Sequence, residues 1–167
     1  MRVSFLPRAM LPRLTDLTAA ALQQRGVRLL MLDFDNTVLP YTSNEIPQAL
    51  VDWVAGIRAA GITVCVVSNS KKPRAIPFCE RTEIGLIRKA RKPFPKGIRA
   101  CLERYNASPT EAALLGDQIY TDVLGANCAG VYSILVQPIH LHNFWLKARH
   151  GLEQPFIQLA KHKHTDA

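Results

Sequence analysis

The sequence predicts an open α/β fold, a Rossmann-like three-layer sandwich around a mostly parallel, five-stranded sheet. Three observations carry this expectation. Apolar runs of strand length alternate with segments whose apolar residues recur at helical intervals. Three of the four well-formed runs deliver a polar residue at their carboxyl end, where open α/β sheets bind ligands. No repeat, low-complexity tract or linker divides the 167 residues, so the expectation is one domain over 1–167, with its core at about 27–137.

The elements follow in order. Thr18 caps a short helix through Gln24, and Gly26 ends it. Val27–Leu32 is a first strand running into Asp33. Over about 46–60, Ile46, Leu50, Trp53, Val54 and Ile57 repeat at helical spacing, which makes Trp53 a core anchor. Gly61 closes that helix, and Ile62–Val67 is a buried second strand ending at Ser68. Pro73 and Pro77 break the next stretch, in which Gly85–Ile87 is a short third strand. A helix is expected over about 95–106. Ser108-Pro-Thr-Glu111 has the spacing of a capping box with Pro at the first helical position, and is read as a helix start. Ala112–Gly116 is a fourth strand leading to Asp117, followed by a helix over about 120–129 and a fifth strand, Val131–Val136. From His140 onward comes a tail with an apolar cluster (Leu141, Phe144, Trp145, Leu146), flexible over about 155–167 and ending in Lys161-His-Lys-His164, whose histidines are read as exposed.

Composition excludes several classes. Hydrophobic residues at 48% and charged residues at 20% describe an ordinary soluble globular chain. Cys65, Cys79, Cys101 and Cys128 show neither zinc-site spacing nor a disulfide framework, so four free thiols in a reducing compartment are expected. No run approaches the roughly 18 apolar residues of a membrane span. The N-terminus lacks the apolar core of a secretory signal. A cytoplasmic protein is expected, with peripheral contact to a membrane left open.

The net charge of +8 is concentrated. Eleven basic residues between Lys71 and Arg104 face only Glu80, Glu83 and Glu103, which accounts for the whole excess. A solvated face and a binding surface both fit this pattern.

The polar strand ends are Asp33-Phe-Asp35-Asn-Thr37, Ser68-Asn69 and Gly116-Asp117-Gln-Ile-Tyr-Thr-Asp122, with Arg91-Lys92-Pro-Phe before a helix. Each residue has a plainer reading: Asp33 as a cap, Asp117 as the opening of a turn, Lys92 as one surface lysine among many. In this order, however, they resemble the four motifs of the haloacid dehalogenase superfamily. With the Leu17-Thr18-x7-Gly26-Val27 lead-in to the first strand, the likeness is to the YqeG-type branch of subclass IIIA, which is similar to mitochondrial phosphatidylglycerophosphate phosphatases.

The resemblance implies a magnesium-dependent phosphatase with Asp33 as nucleophile and an aspartyl-phosphate intermediate, splitting one difficult step into two. Asp35 is two residues on, on the same side of an extended chain, and is implied as the general acid and base. Two neighbouring carboxylates resist joint ionisation, which favours a protonated Asp35. Mg²⁺ is implied at the Asp33 side chain, the Asp35 carbonyl and the Asp117 side chain, with Asp122 supporting them. Ser68, Asn69 and Lys92 are implied to bind phosphate.

The gaps 36–67 and 69–91 hold 32 and 23 residues, too few for an inserted cap domain, which takes about 50. A capless, open cleft suits a large substrate. Lys71, Lys72 and Arg74 after Ser68, with Arg88, Lys89 and Arg91 before Lys92, are expected on its rim. Such a rim attracts an anionic membrane or nucleic acid alike. The resemblance favours a phospholipid headgroup, phosphatidylglycerophosphate; the alternatives are a phosphoprotein, nucleotide or sugar phosphate, or a non-catalytic relative that binds nucleic acid or a partner. Oligomeric state is left open.

Overall fold

The structure, a computed structural model, describes residues 3–139, 151 and 153–160. His140, the Leu141–Leu146 cluster, His162 and His164 lie outside the described residues. Among those described, six strands form one sheet in the order β1-β6-β5-β2-β3-β4: β1 Ala9–Leu11, β2 Leu29–Leu32, β3 Thr63–Val67, β4 Gly85–Ile87, β5 Ala112–Gly116 and β6 Tyr132–Val136. Every pairing is parallel. The sequence reading gave five strands. β1 is the addition, a three-residue edge strand pairing Ala9 with Ile134, too short between Pro7 and Pro12 to show a period.

Alternate residues of the central strands point to opposite faces, which builds the three layers. Leu30, Leu32, Val64, Val66, Ala113 and Leu115 meet Leu22 of α1 (Ala19–Gln24), Val54 and Ile57 of α2 (Gln48–Ala59) and Phe78 of α3 (Ile76–Thr82). Leu29, Met31, Cys65, Val67, Ala112 and Leu114 meet Ile98, Cys101 and Leu102 of α4 (Lys96–Arg104) and Ala126 and Ala129 of α5 (Leu124–Ala129). β2 lies between β3 and β5, with Met31 opposite both Cys65 and Leu114. All four cysteines are unpaired; Cys65, Cys79 and Cys101 are buried and Cys128 half-buried. Trp53 packs against the first core and donates from Nε1 to the Leu17 carbonyl at 2.9 Å, away from the strand ends, as its spacing implied.

Two local readings change. Pro73 and Pro77 do not break the chain. They occupy first-turn positions of a 3-10 turn (Pro73–Ala75) and of α3, where the missing N–H costs nothing. The capping box at Ser108 forms, but it caps a single 3-10 turn, Pro109–Glu111, because β5 begins at the next residue. Residues 153–160 are helical, and Glu153, Ile157 and Ala160 on that segment are buried. No described helix is long and apolar enough to cross a membrane.

α4 sits close against the segment that carries Lys92. A Cβ on Gly97 would lie 2.5 Å from both the Cα and the carbonyl oxygen of Ala90, and backbone cannot move aside cheaply. Gly97→Ala is expected to cost about 1–3 kcal/mol through overpacking, a fall of roughly 3–10 °C in a thermal melt.

Candidate active site

Asp33 leaves β2 at the centre of the sheet, and its N–H still donates to the Leu115 carbonyl at 2.8 Å, so it emerges level with Gly116-Asp117. On the other flank Ser68 N–H donates to the Ile87 carbonyl at 2.9 Å, and the Ser68 carbonyl accepts from Ala90 N–H at 3.0 Å. These backbone bonds bring three strand ends and the Arg88–Lys92 segment to one level.

Lys92 is the hub. Its Nζ lies 2.7 Å from Asp33 Oδ1 and 2.8 Å from Asp122 Oδ1, and its side chain is 1% exposed. Burial works against the ammonium charge, but Asp122 and Asp33 outweigh it and hold its pKa above the ordinary value. Asn69 fixes the Lys92 backbone from both sides. Its Nδ2 donates to the Lys92 carbonyl at 2.8 Å, and its Oδ1 accepts from the Lys92 N–H at 2.7 Å. Ser68 Oγ accepts from the Ser70 N–H at 3.0 Å.

Asp117 is held by the first loop. Thr37 Oγ1 donates to its Oδ1 at 3.2 Å, and Asn36 Nδ2 reaches its Oδ2 at 3.5 Å. Asp122 folds back under the same strand end, its Oδ2 accepting from the Gln118 N–H at 3.1 Å. That return requires glycine at 116, where a Cβ would stand 2.4 Å from Asp122 Cγ. Burial, with Asp33 adding to it and Lys92 opposing, pushes the Asp122 carboxyl up to about 6.

Asp33, Asp117 and Asp122 offer oxygens within 4.8 Å of one another. Asp33 Oδ2 is buried without a hydrogen-bond partner. An orphaned carboxylate oxygen inside a set of three carboxylates is what a hard divalent cation satisfies, so these residues fit Mg²⁺. Asp122 is engaged by Lys92 and by the Gln118 N–H.

Asp35 stands apart from this cluster. Arg74 Nη1 pairs with its Oδ1, while Nη2 donates to the carbonyls of Pro40 at 2.8 Å and Ser43 at 2.7 Å. Arg74 Nε donates to Asn44 Oδ1 at 3.1 Å, and its guanidinium lies 5.9 Å from the Phe34 ring. Burial raises the Asp35 carboxyl above the usual carboxylate range, with Asp33 adding to it and Arg74 opposing. The expected rim is corrected accordingly. Arg74 turns inward and ties the 35–44 loop to Asp35, whereas Lys71, Lys72, Arg88, Lys89 and Arg91 are exposed. Sequence reasoning counted Arg74 only as a surface charge, since its partners are carbonyls set by the return of the loop.

On the β6–β1 side, Asp117 borders a groove of about 520 Å³ lined by Met10, Leu11, Pro12, Leu135 and Pro138. Around the cleft, Phe94, Tyr41 and Ile139 are exposed, Phe94 by 70%.

A family model described as HAD-hydrolase-like matches residues 89–138. The probable phosphatase YqeG of Bacillus subtilis is 33% identical over 135 residues, 81% of this chain and 78% of that protein. Glyceraldehyde 3-phosphate phosphatase of Pyrococcus furiosus is 33% identical over 57 residues, 34% of this chain and 24% of that one. Among solved structures, CbbY from Rhodobacter sphaeroides in complex with phosphate shares the fold, with a TM-score of 0.53 at 16% identity over 70% of this chain and 89% of that one.

Proposed function

We propose that this chain, which belongs to the HAD-like hydrolase family, is a phosphatase that cleaves phosphomonoesters through a covalent phosphoryl group on Asp33. The observation that carries the reading is the hub at the carboxyl ends of β2 and β5. Lys92 grips one Asp33 oxygen at 2.7 Å while the other is buried without a partner beside Asp117.

The Asp33 carboxylate attacks phosphorus, and the bond to the leaving oxygen breaks. Lys92 orients Asp33 and offsets charge on the transferring group. Ser68 and nearby backbone N–H groups take phosphate oxygens, and Asn69 keeps Lys92 in place. Asp35, with its proton affinity raised by burial, protonates the leaving oxygen. A water molecule then attacks phosphorus, Asp35 takes its proton, and Asp33 is regenerated. Mg²⁺, when bound by Asp33, Asp117 and the Asp35 carbonyl with Asp122 behind them, offsets the joint negative charge of carboxylate and phosphate.

The substrate we favour is phosphatidylglycerophosphate, met by a single domain working in the cytoplasm at an anionic membrane surface. Two features on opposite sides of the centre support an amphiphilic phosphate ester. Exposed Lys71, Lys72, Arg88, Lys89 and Arg91 lie on the β3–β4 side, and a groove lined by Met10, Leu11 and Leu135 beside Gln137 and Gln154 on the β6–β1 side. Mg²⁺-dependent phosphate release from this lipid in mixed micelles, beside phosphopeptides, nucleotides and sugar phosphates, is the test. Release from the lipid alone is the expected result. Release only from the water-soluble esters would keep the chemistry and discard the lipid, and no release from any of them in Mg²⁺ would discard the enzyme.

A further inference from the structure

The helical segment 153–160 carries a buried glutamate that the reaction above leaves unused. We propose that Glu153 is a positioning residue, which fixes the Asp117–Asp122 loop and through it the site that receives Mg²⁺; this rests on the reading of that site given above.

Glu153 is 2% exposed, and its Oε1 accepts from the Ile119 N–H at 3.0 Å. Ile119 opens a π-helical turn, Ile119–Val123, that continues into α5. The first N–H groups of a helical segment have no partner within it. Gln118, in the capping position, accepts none of the turn's backbone N–H groups with its side chain, whose Oε1 takes the Thr121 hydroxyl at 3.0 Å. Two carboxylates, one within the turn and one from the 153–160 segment, do this work. Asp122 Oδ2 accepts from the Gln118 N–H at 3.1 Å, and Glu153 takes the next amide. Both N–H groups that follow Asp117 are thereby fixed. An ionised acceptor makes the stronger bond, and negative charge is favoured at this end of a helical segment.

The segment is anchored on either side of that bond. Ile157 packs with Ile119, Val123 and Leu135. The Phe156 ring lies 6.2 Å from Tyr120 and 5.2 Å from Phe5, and Phe5 is 5.8 Å from Tyr120. Apolar packing alone would be served as well by an apolar residue at 153, since burying a carboxylate is costly. The acceptor is needed because the Ile119 amide would otherwise be buried and unsatisfied.

Calorimetric titration with Mg²⁺ and amide hydrogen exchange, both on the full chain, test the proposal. In the metal-free wild type, the Ile119 amide is expected to exchange as slowly as those of β5. Exchange at the rate of an exposed loop amide would overturn the assignment before any variant is made. Glu153→Leu is expected to weaken Mg²⁺ binding and to speed Ile119 exchange about tenfold each, whereas Glu153→Gln, which keeps an acceptor oxygen, stays within about threefold of wild type. Ile157→Ala loosens the same helix without removing the bond, and stands for a purely structural role. Equal weakening of Mg²⁺ binding in Ile157→Ala and Glu153→Leu overturns the proposal, as does unchanged affinity in a folded Glu153→Leu. A wild type that protects Ile119 but binds no Mg²⁺ sinks the metal reading; loss of that protection in Glu153→Leu would still support the role of Glu153.

Discussion

Asp33→Asn is expected to lower phosphate release by about 10⁴-fold or more, the scale of removing a nucleophile from a site that acts as a unit. The amide cannot form the acyl phosphate, so no covalent route remains. The fold should survive, because Lys92 keeps Asp122 as a partner at 2.8 Å when the Asp33 charge is removed. A melt within a few degrees of wild type, beside lost turnover, is therefore the signature. Activity above about one per cent of wild type would place the nucleophile elsewhere, since positioning and charge alone retain far less.

Lys92→Met is expected to be the most destabilising single change in the site. It leaves two buried carboxylates facing each other without their cation, a loss of about 3–5 kcal/mol, or roughly 10 °C in melting temperature. The effect should depend on pH. In the wild type, burial pushes Asp122 up to about 6, so the folded chain holds a proton there that the unfolded chain gives up near 3.8. Stability therefore falls as pH rises through that window. Removing Lys92 takes away the attraction that limits this rise, so the window extends upward. Melts in EDTA should show the gap between variant and wild type widening from pH 5 to pH 8. A gap that does not change with pH would mean that Lys92 contributes packing and little charge.

The central sheet was legible because β2, β3, β5 and β6 are buried on both faces and read as unbroken apolar runs. The strand ends followed, and with them Asp33, Ser68 and Asp117, since a residue that ends such a run must emerge at the same edge; Asp122, inside the next turn, was reached only through the family resemblance. β1 stayed hidden because three residues at a sheet edge carry too little pattern. α3 stayed hidden because a proline in a first turn looks like a proline that breaks a helix, and only the backbone distinguishes them. Arg74 was visible as a charge but not as a tie. Its carbonyl partners, Pro40 and Ser43, lie in a loop whose path no local pattern encodes. Glu153 depends on contact across 34 positions, which sequence spacing cannot express.

The unpaired, buried cysteines have a practical consequence. Cys65 sits in β3, Cys79 in α3 and Cys101 in α4, one on the central sheet and one in each covering layer. Burial pushes the Cys79 thiol up to about 12, so it is doubly protected from alkylation near neutral pH. Cys79 becomes reactive when α3 parts from the sheet, and Cys65 and Cys101, which share the opposite interface, when α4 does. The rates at which a thiol reagent consumes them would thus time the opening of the two faces of the sheet separately, with Cys128 as a faster internal reference and no label introduced by mutation.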